Sequence, residues 1–349
     1  MAKKRKTLPK DFEELLSTGD FQALKAVFTT CEPDARGGYA KATALAFDNC
    51  PHELAVWLVQ QGADLQATDT WGNTPLHNRS GSIHGNIKSL LTLGAYVHAK
   101  NNHKDTPLHT AASAHNVENT ELLLAYDAYI HALNSDGNTP LEQALQMCRN
   151  AYIVNTVKLA KIYLQAGVQI TPKMRGFVQA IGKQFEFYRA GFNQEYVEEV
   201  STALEELYQL FDVEPVAKRI LHDGKTPITT TAANWQQQHK EFWDLLVPSS
   251  GPAATLQGEV IRITGRIANE VQGNGGINWD SEYKKMADAF LAFMKQGNPL
   301  SYSELMEAEE LVIKIKRRSG DTSRLCELGV QWVTNNPLPL ILSHVEYNR

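Results

Sequence analysis

A short motif returns along this chain at a nearly fixed interval. Thr74-Pro75-Leu76-His77 recurs as Thr106-Pro107-Leu108-His109 and again as Thr139-Pro140-Leu141-Glu142, at offsets of 32 and 33 residues. The segments ahead of the motif align as well: Gly62-Ala63-Asp64-Leu65, Gly94-Ala95-Tyr96-Val97 and Asp127-Ala128-Tyr129-Ile130. Self-similarity at this period marks units that must stack, because one such unit cannot bury its apolar face alone. Each motif residue has a physical task. Threonine caps a helix N-terminus. Proline takes the first helical position, where a missing N–H costs nothing. Leucine enters the core between units, and Asp136-Gly137 allows the tight turn before the helix. A second helix supplies another apolar face through Val117, Leu122, Leu123 and Leu124.

The flanks extend the pattern. Thr43-Ala44-Leu45-Ala46 stands 31 residues before the first clear motif as a degenerate copy, and Phe12 to Phe28, divided by Gly19-Asp20, reads as an opening helix pair. Gly167-Val168-Gln169-Ile170-Thr171-Pro172 reads as the exit from a last, longer unit, since Asp127 to Gly167 spans 40 positions against 33 from Gly94 to Asp127. In period and motif these segments resemble the ankyrin repeat, and Thr106-Pro107-Leu108-His109-Thr110-Ala111 fits its full T-P-L-H-x-A pattern. The resemblance implies about five stacked helix pairs over residues 9–172, with atypical ends, and a surface that binds a protein partner. It also implies that His77 and His109 are structural, bonding to neighbouring loops. One departure stands out: Asn78-Arg79-Ser80-Gly81-Ser82 replaces the small apolar pair that should follow His77, which predicts a short or distorted first helix there.

From about Met174 the period disappears while helical patterning continues. Amphipathic runs cover 174–211, Asn234 to Leu246, Thr255 to Val271, Asp280–Gln296, Ser303–Arg318 and Ser323–Thr334, with Gly273-Asn274-Gly275-Gly276 as a helix stop and an extended tail from Pro337. The segment from Leu245 to Asp280 resembles uncharacterised bacterial helical proteins, which implies a bacterial source and no particular activity. The reading is therefore all-α: residues 1–8 a basic disordered tail, 9–172 an ankyrin-repeat solenoid, and 173–349 a non-repetitive α-helical domain.

Composition narrows the function classes. The 349 residues carry a net charge of −5, which argues against a nucleic-acid partner; the Lys3-Lys4-Arg5-Lys6 run reads as a solvated terminus. No apolar stretch is long enough for a membrane span. Cys31, Cys50, Cys148 and Cys326 form no CxxC pair, which suits a reducing cytoplasm and provides no zinc cluster. His98 and His131 hold equivalent places in successive units, but layers roughly 8–10 Å apart cannot share one zinc at about 2 Å per bond, so bonds to adjacent loops are expected instead. Gly224-Lys225-Thr226 lacks the earlier glycine of a phosphate loop, since position 219 is Arg219, and reads as a turn. Glu259, Arg262 and Arg266 share a helix face, and the common reading is a structural ion pair with solvated neighbours. No catalytic set, metal site or cofactor is expected. The function expected is a protein-binding scaffold or inhibitor that recognises its partner through the ankyrin concave face and loop tips, by analogy a bacterial immunity-type protein, rather than an enzyme; the alternative is an effector or enzyme acting through the C-terminal domain.

The partner-binding residues expected are the turn positions before each motif: Thr68, Thr70, Trp71 and Asn73, then Lys100, Asn102, His103 and Asp105, then Leu133, Ser135, Asp136 and Asn138. Trp71 divides between an interface anchor and a residue packed on the next turn.

Overall fold

A computed structural model describes residues 3–349. The protein is mostly helical, 55% helix and 4% strand, so the all-α reading needs only three short strands added to it. Backbone packing divides the chain into two compact units. Unit 1 runs to Phe185 and takes in Asn193–Val216; unit 2 comprises Glu186–Phe192 and Ala217–Arg349.

Unit 1 opens with β1 (Arg5–Thr7), α1 (Phe12–Thr18), α2 (Phe21–Thr30), β2 (Cys31–Gly37) and β3 (Ala42–Thr43). The basic terminus is therefore not the disordered tail its charge suggests. Arg5–Thr7 pairs in parallel with β2, Leu8 is buried, and Leu8 N donates to Arg36 O at 2.9 Å. Backbone pairing and one buried leucine hold the segment while its cations face outward, two of them bonding across: Lys4 Nζ donates to Phe28 O at 2.7 Å and Arg5 Nη2 to Thr30 Oγ1 at 3.0 Å. Met1 and Ala2 lie outside the described residues.

Helices then follow in short pairs: α3 (His52–Gln60), α4 (Pro75–Ser80), α5 (Lys88–Thr92), α6 (Pro107–Ser113), α7 (Val117–Ala125), α8 (Pro140–Met147) and α9 (Ile153–Gln165). The motif explains the starts of α4, α6 and α8. Thr74 Oγ1 accepts from His77 N at 3.5 Å and Thr139 Oγ1 from Glu142 N at 3.3 Å, with proline at the first helical turn each time. The third helical residue closes the box by accepting from the cap backbone: Thr74 N to His77 Nδ1 at 3.2 Å, Thr106 N to His109 Nδ1 at 3.1 Å, Thr139 N to Glu142 Oε2 at 2.9 Å. Leu76, Leu108 and Leu141 are fully buried, as the stacking argument requires. Replacing Leu108 by alanine is expected to lower stability by about 2–5 kcal/mol through the cavity it leaves. A denaturant melt that matched the wild type would contradict that burial.

The departure after His77 has a visible consequence. The first helix, α4, loses one residue relative to α6, but the second helix shrinks more: α5 has 5 residues where α7 has 9. Arg79 turns inward, its Nη2 donating to Cys50 O at 3.1 Å. The chain between α4 and α5 folds back onto it at Gly85, where a Cβ would come within 1.9 Å of Arg79 O. Asn119 Nδ2 bridges this loop from α7, reaching Gly85 O at 2.8 Å and Arg79 O at 3.3 Å.

The last unit is longer because a linker at Cys148–Tyr152 precedes α9, which has 13 residues. Thr171-Pro172 does more than end the last repeat. It opens α10 (Pro172–Tyr188), with Thr171 Oγ1 accepting from Met174 N at 3.2 Å in the manner of the other caps, and α11 (Gln194–Phe211) packs along α9 through a buried face that includes Leu204, Leu207 and Phe211. Unit 1 therefore runs well past residue 172, the boundary the fading period suggests.

Unit 2 contains α12 (Trp235–Leu246), α13 (Leu256–Ala268), α14 (Ser281–Met294), α15 (Tyr302–Ile315) and α16 (Thr322–Asn335), close to the expected runs. Helix α13 is its axis, packed by α12, α14 and α16 and buried on every side from Leu256 to Thr264. The extended tail runs beside it: Leu256 N donates to Leu340 O at 2.7 Å and Gln257 Nε2 to Leu338 O at 2.8 Å. A π-helical turn, Asn269–Gly273, ends α13, with Gly275 and Gly276 at positive φ where the helix stop was expected. Gly224-Lys225-Thr226 is a turn, its amides at Lys225 and Thr226 held by Asp223 Oδ1 at 2.8 and 2.9 Å.

Candidate functional site

The turns ahead of α4, α6 and α8 project from unit 1 as a row of fingers, and backbone bonds join their tips. Thr70 N donates to Ala40 O at 3.0 Å, Asn102 N to Trp71 O at 3.0 Å, and Ser135 N to His103 O at 2.8 Å. Each finger is folded by one side chain five residues before the motif threonine. Asp69 Oδ1 accepts from Trp71 N and Asn73 N at 2.8 and 2.9 Å. Asn101 Oδ1 accepts from His103 N and Asp105 N at 2.9 and 3.0 Å. Asn134 Oδ1 accepts from Asp136 N and Asn138 N at 3.0 Å each. The amide groups then lace neighbours together, Asn101 Nδ2 to Asn73 Oδ1 at 2.8 Å and Asn134 Nδ2 to Asp105 Oδ1 at 2.9 Å. These three residues were absent from the expected set, although the Asp/Asn recurrence at one register was there to be read.

The structure sorts the expected residues into two groups. Thr68, Thr70, Trp71, Lys100, Asn102, His103, Leu133, Ser135 and Asp136 are exposed. Asn73 and Asp105 are half-buried and occupied by the lacing just described. Asn138, 1% exposed, lies inside: its carbonyl accepts from His109 Nε2 at 3.0 Å and its amide donates to Gln146 Oε1 at 2.6 Å. It lies between His109 of the preceding repeat and Gln146 of its own helix rather than at the tip.

His77 and His109 serve as the resemblance implies. With Nδ1 accepting from the threonine amide, Nε2 carries the proton and donates to the next finger, to Asp105 O at 2.9 Å and Asn138 O at 3.0 Å. Burial lowers both pKa values below the ordinary imidazole range, so both rings are neutral. Among the described residues, the rings of His98 and His131 make none of the expected bonds to adjacent loops; each sits edge-on to the tyrosine two positions earlier, Tyr96 at 5.4 Å and Tyr129 at 5.7 Å. Among the described residues no cluster of His, Cys, Asp or Glu could hold a metal. Nor is any described helix long and apolar enough to cross a membrane.

Large apolar side chains stand at the finger tips: Trp71 44% exposed, Leu133 52% and Tyr39 93%. Tyr39 comes from the turn between β2 and β3, and its ring lies 5.8 Å from that of Trp71. A hollow of about 440 Å³ opens beside this first finger, lined by Glu13, Ala40, Phe47, Asn78 and Ser82 among others. Tyr39 was also missed, for the turn carrying it belongs to the degenerate first copy, where only Gly37-Gly38 signals it.

A family model for ankyrin repeats, in 3 copies, matches residues 79–168. The match begins just after the first motif, at the position where Arg79 departs from the pattern. No curated protein matches the chain.

Proposed function

We propose that this chain, an ankyrin-repeat protein, binds a protein partner through the finger tips of unit 1, with Trp71 and Tyr39 as anchor. Ankyrin repeats generally mediate protein–protein interaction. The observation that carries the assignment to this surface is the exposed Tyr39–Trp71 pair on fingers held rigid by tip-to-tip backbone bonds. A large aromatic presented on a preorganised scaffold buries much area for little loss of entropy, which is why such residues dominate interface energetics. Lys100, Asn102, His103, Leu133, Ser135 and Asp136 extend the patch across the next two fingers.

In this reading the array comprises about five repeats over residues 9–172, and α10 with α11 closes it as a terminal pair, supported by the shared Thr-Pro cap at Thr171. The protein acts as a binder, as ankyrin-repeat proteins typically do, rather than through catalysis. Its four cysteines are free and buried, which suits a reducing cytoplasm. A role as inhibitor or immunity-type protein in a bacterium is the specific form we favour, by analogy at the level of the fold.

Affinity capture with the full chain, followed by titration of the captured partner, tests the surface. Trp71→Ala is expected to weaken binding by roughly 2 kcal/mol or more while leaving the melting temperature nearly unchanged. Unchanged affinity, or a large loss of stability, would assign Trp71 to packing instead.

A further inference from the structure

Unit 2 contains a cleft of about 640 Å³ beside α13, within the size range of small-molecule sites. Phe187, Tyr188, Trp243 and Tyr283 line its walls, with Arg266 and Glu270 among its polar groups. The walls are braced from behind. Trp243 lies directly on α13 because residue 265 is glycine; a Cβ there would come within 2.5 Å of Trp243 Cζ3. Phe187 stacks on Trp243 with ring planes 11° apart, and the Arg219 guanidinium sits 4.3 Å from the Phe187 ring. Tyr283 stacks on Trp279 at 5.2 Å and 15°.

The charges in the cleft are not balanced alike. Glu270 is ionised and occupied: it accepts from Asn278 N at 2.6 Å, from Asn274 Nδ2 at 3.0 Å and from Asn278 Nδ2 at 3.3 Å. One turn before Arg266, Arg262 is fully engaged by Glu259, at 2.8 and 2.6 Å. Arg266 is half-buried and has no hydrogen bond or ion pair among the described residues. Burial, and then the neighbouring Arg262 charge, pushes its pKa down, as expected for a guanidinium partly withdrawn from water without gaining a partner. Partly desolvated charges are normally paired.

We propose that this cleft binds a small planar organic acid, an aromatic monocarboxylate whose carboxylate pairs with Arg266 and whose ring packs on the Phe187–Trp243 wall. A guanidinium fork matches a carboxylate in two parallel bonds. The number of charges sets the class. One uncommitted cation neutralises one negative charge, and the Glu270 carboxylate in the same cleft disfavours a dianion such as a phosphate monoester. The aromatic lining selects a flat ring over an aliphatic chain, since stacked and edge-on contacts favour rings beyond their area. The site lies wholly within unit 2 and does not depend on what the fingers bind.

Indole-3-acetate is the probe, titrated into the full chain while the indole N–H resonance of Trp243, identified by its loss in Trp243→Phe, is followed by NMR. A molecule of this size supports a dissociation constant of about 1 mM or tighter. Arg266→Gln, which keeps a polar side chain of similar reach, is expected to weaken binding about tenfold or more, with the dispersion of the other indole signals unchanged. Uncharged indole is expected to bind Arg266→Gln and wild type alike. The site is refuted if the Trp243 signal does not move saturably up to about 10 mM probe, well above the expected constant. Equal affinity in Arg266→Gln, or preference for indole over its acid, removes Arg266 from the site and overturns the proposed ligand class.

Discussion

Glu259→Ala is expected to destabilise unit 2 by about 3–5 kcal/mol, the cost of leaving a buried charge without its partner. The carboxylate sits at the centre of a closed network. Oε2 accepts from Arg262 Nε and from Ala253 N, both at 2.8 Å; Oε1 accepts from Arg262 Nη2 at 2.6 Å and from Tyr347 Oη at 2.5 Å. Arg262 Nη1 in turn donates to Arg349 O at 2.5 Å. Both side chains are inaccessible to water, so truncating one strands the other on the axis helix of the unit. The ion pair itself is a weak source of net stability, because desolvating two charges offsets most of their attraction. That gives the test its second arm. Glu259→Met combined with Arg262→Met removes both charges and is expected to recover much of the loss. Hydrogen exchange in peptides from α13 and α16, read alongside urea melts, assigns the effect to unit 2. A loss under 1 kcal/mol, or a double variant as unstable as the single one, would show that the network is wetter than its geometry implies.

That same network shows where sequence reasoning reached its limit. The spacing of Glu259, Arg262 and Arg266 put them on one face, and a helix with three charges on a face ordinarily points that face at water. Here four apolar residues around the helix, Val260, Ile261, Ile263 and Ile267, are buried where α12, α14 and α16 pack, and the tail closes the remaining side. Only tertiary packing decides that. The repeated half was far more legible because its signal is local: a threonine cap, a proline and a leucine act within one helical turn, so Leu76, Leu108 and Leu141 could be placed in the core from sequence. Even there the local signal misled where one residue type serves two purposes. Asn138 shares the turn composition of Asn102, yet one is buried between units and the other exposed at a tip. Thr171-Pro172 carried the same cap as the earlier motifs, but without a following leucine it read as an ending. Of the candidate interface, nine of the twelve expected residues lie exposed, while Tyr39 and the finger-folding Asp69, Asn101 and Asn134 needed the structure.

Acidification from pH 7 toward 5 is expected to destabilise unit 1. His77, His109 and His115 are all buried, and burial lowers the pKa of each below its ordinary value of 6.5. The geometry of His77 and His109 reinforces this, since Nδ1 already accepts from a threonine N–H and a second proton there would face a donor. His115 donates through Nε2 to Ala144 O at 3.0 Å and stacks on Tyr152 with planes 5° apart. In the unfolded chain all three bind protons near pH 6.5; in the folded unit they do so only at lower pH. Between those limits the unfolded state holds more protons, so stability rises with pH and falls on acidification, by at most about 1.4 kcal/mol per pH unit for each imidazole. The stabilisation is complete above about pH 6.5 and is lost as pH drops toward the folded values, with a combined slope of at most about 4 kcal/mol per pH unit. The pH dependence of urea melts, with hydrogen exchange in α6 and α8 to localise it, measures the slope. His115→Gln is expected to remove about one third of it, because that imidazole makes a single hydrogen bond an amide can replace. A stability flat between pH 7 and 5 would mean these rings take up protons in place, and the neutral, finger-linking role given to them would fail.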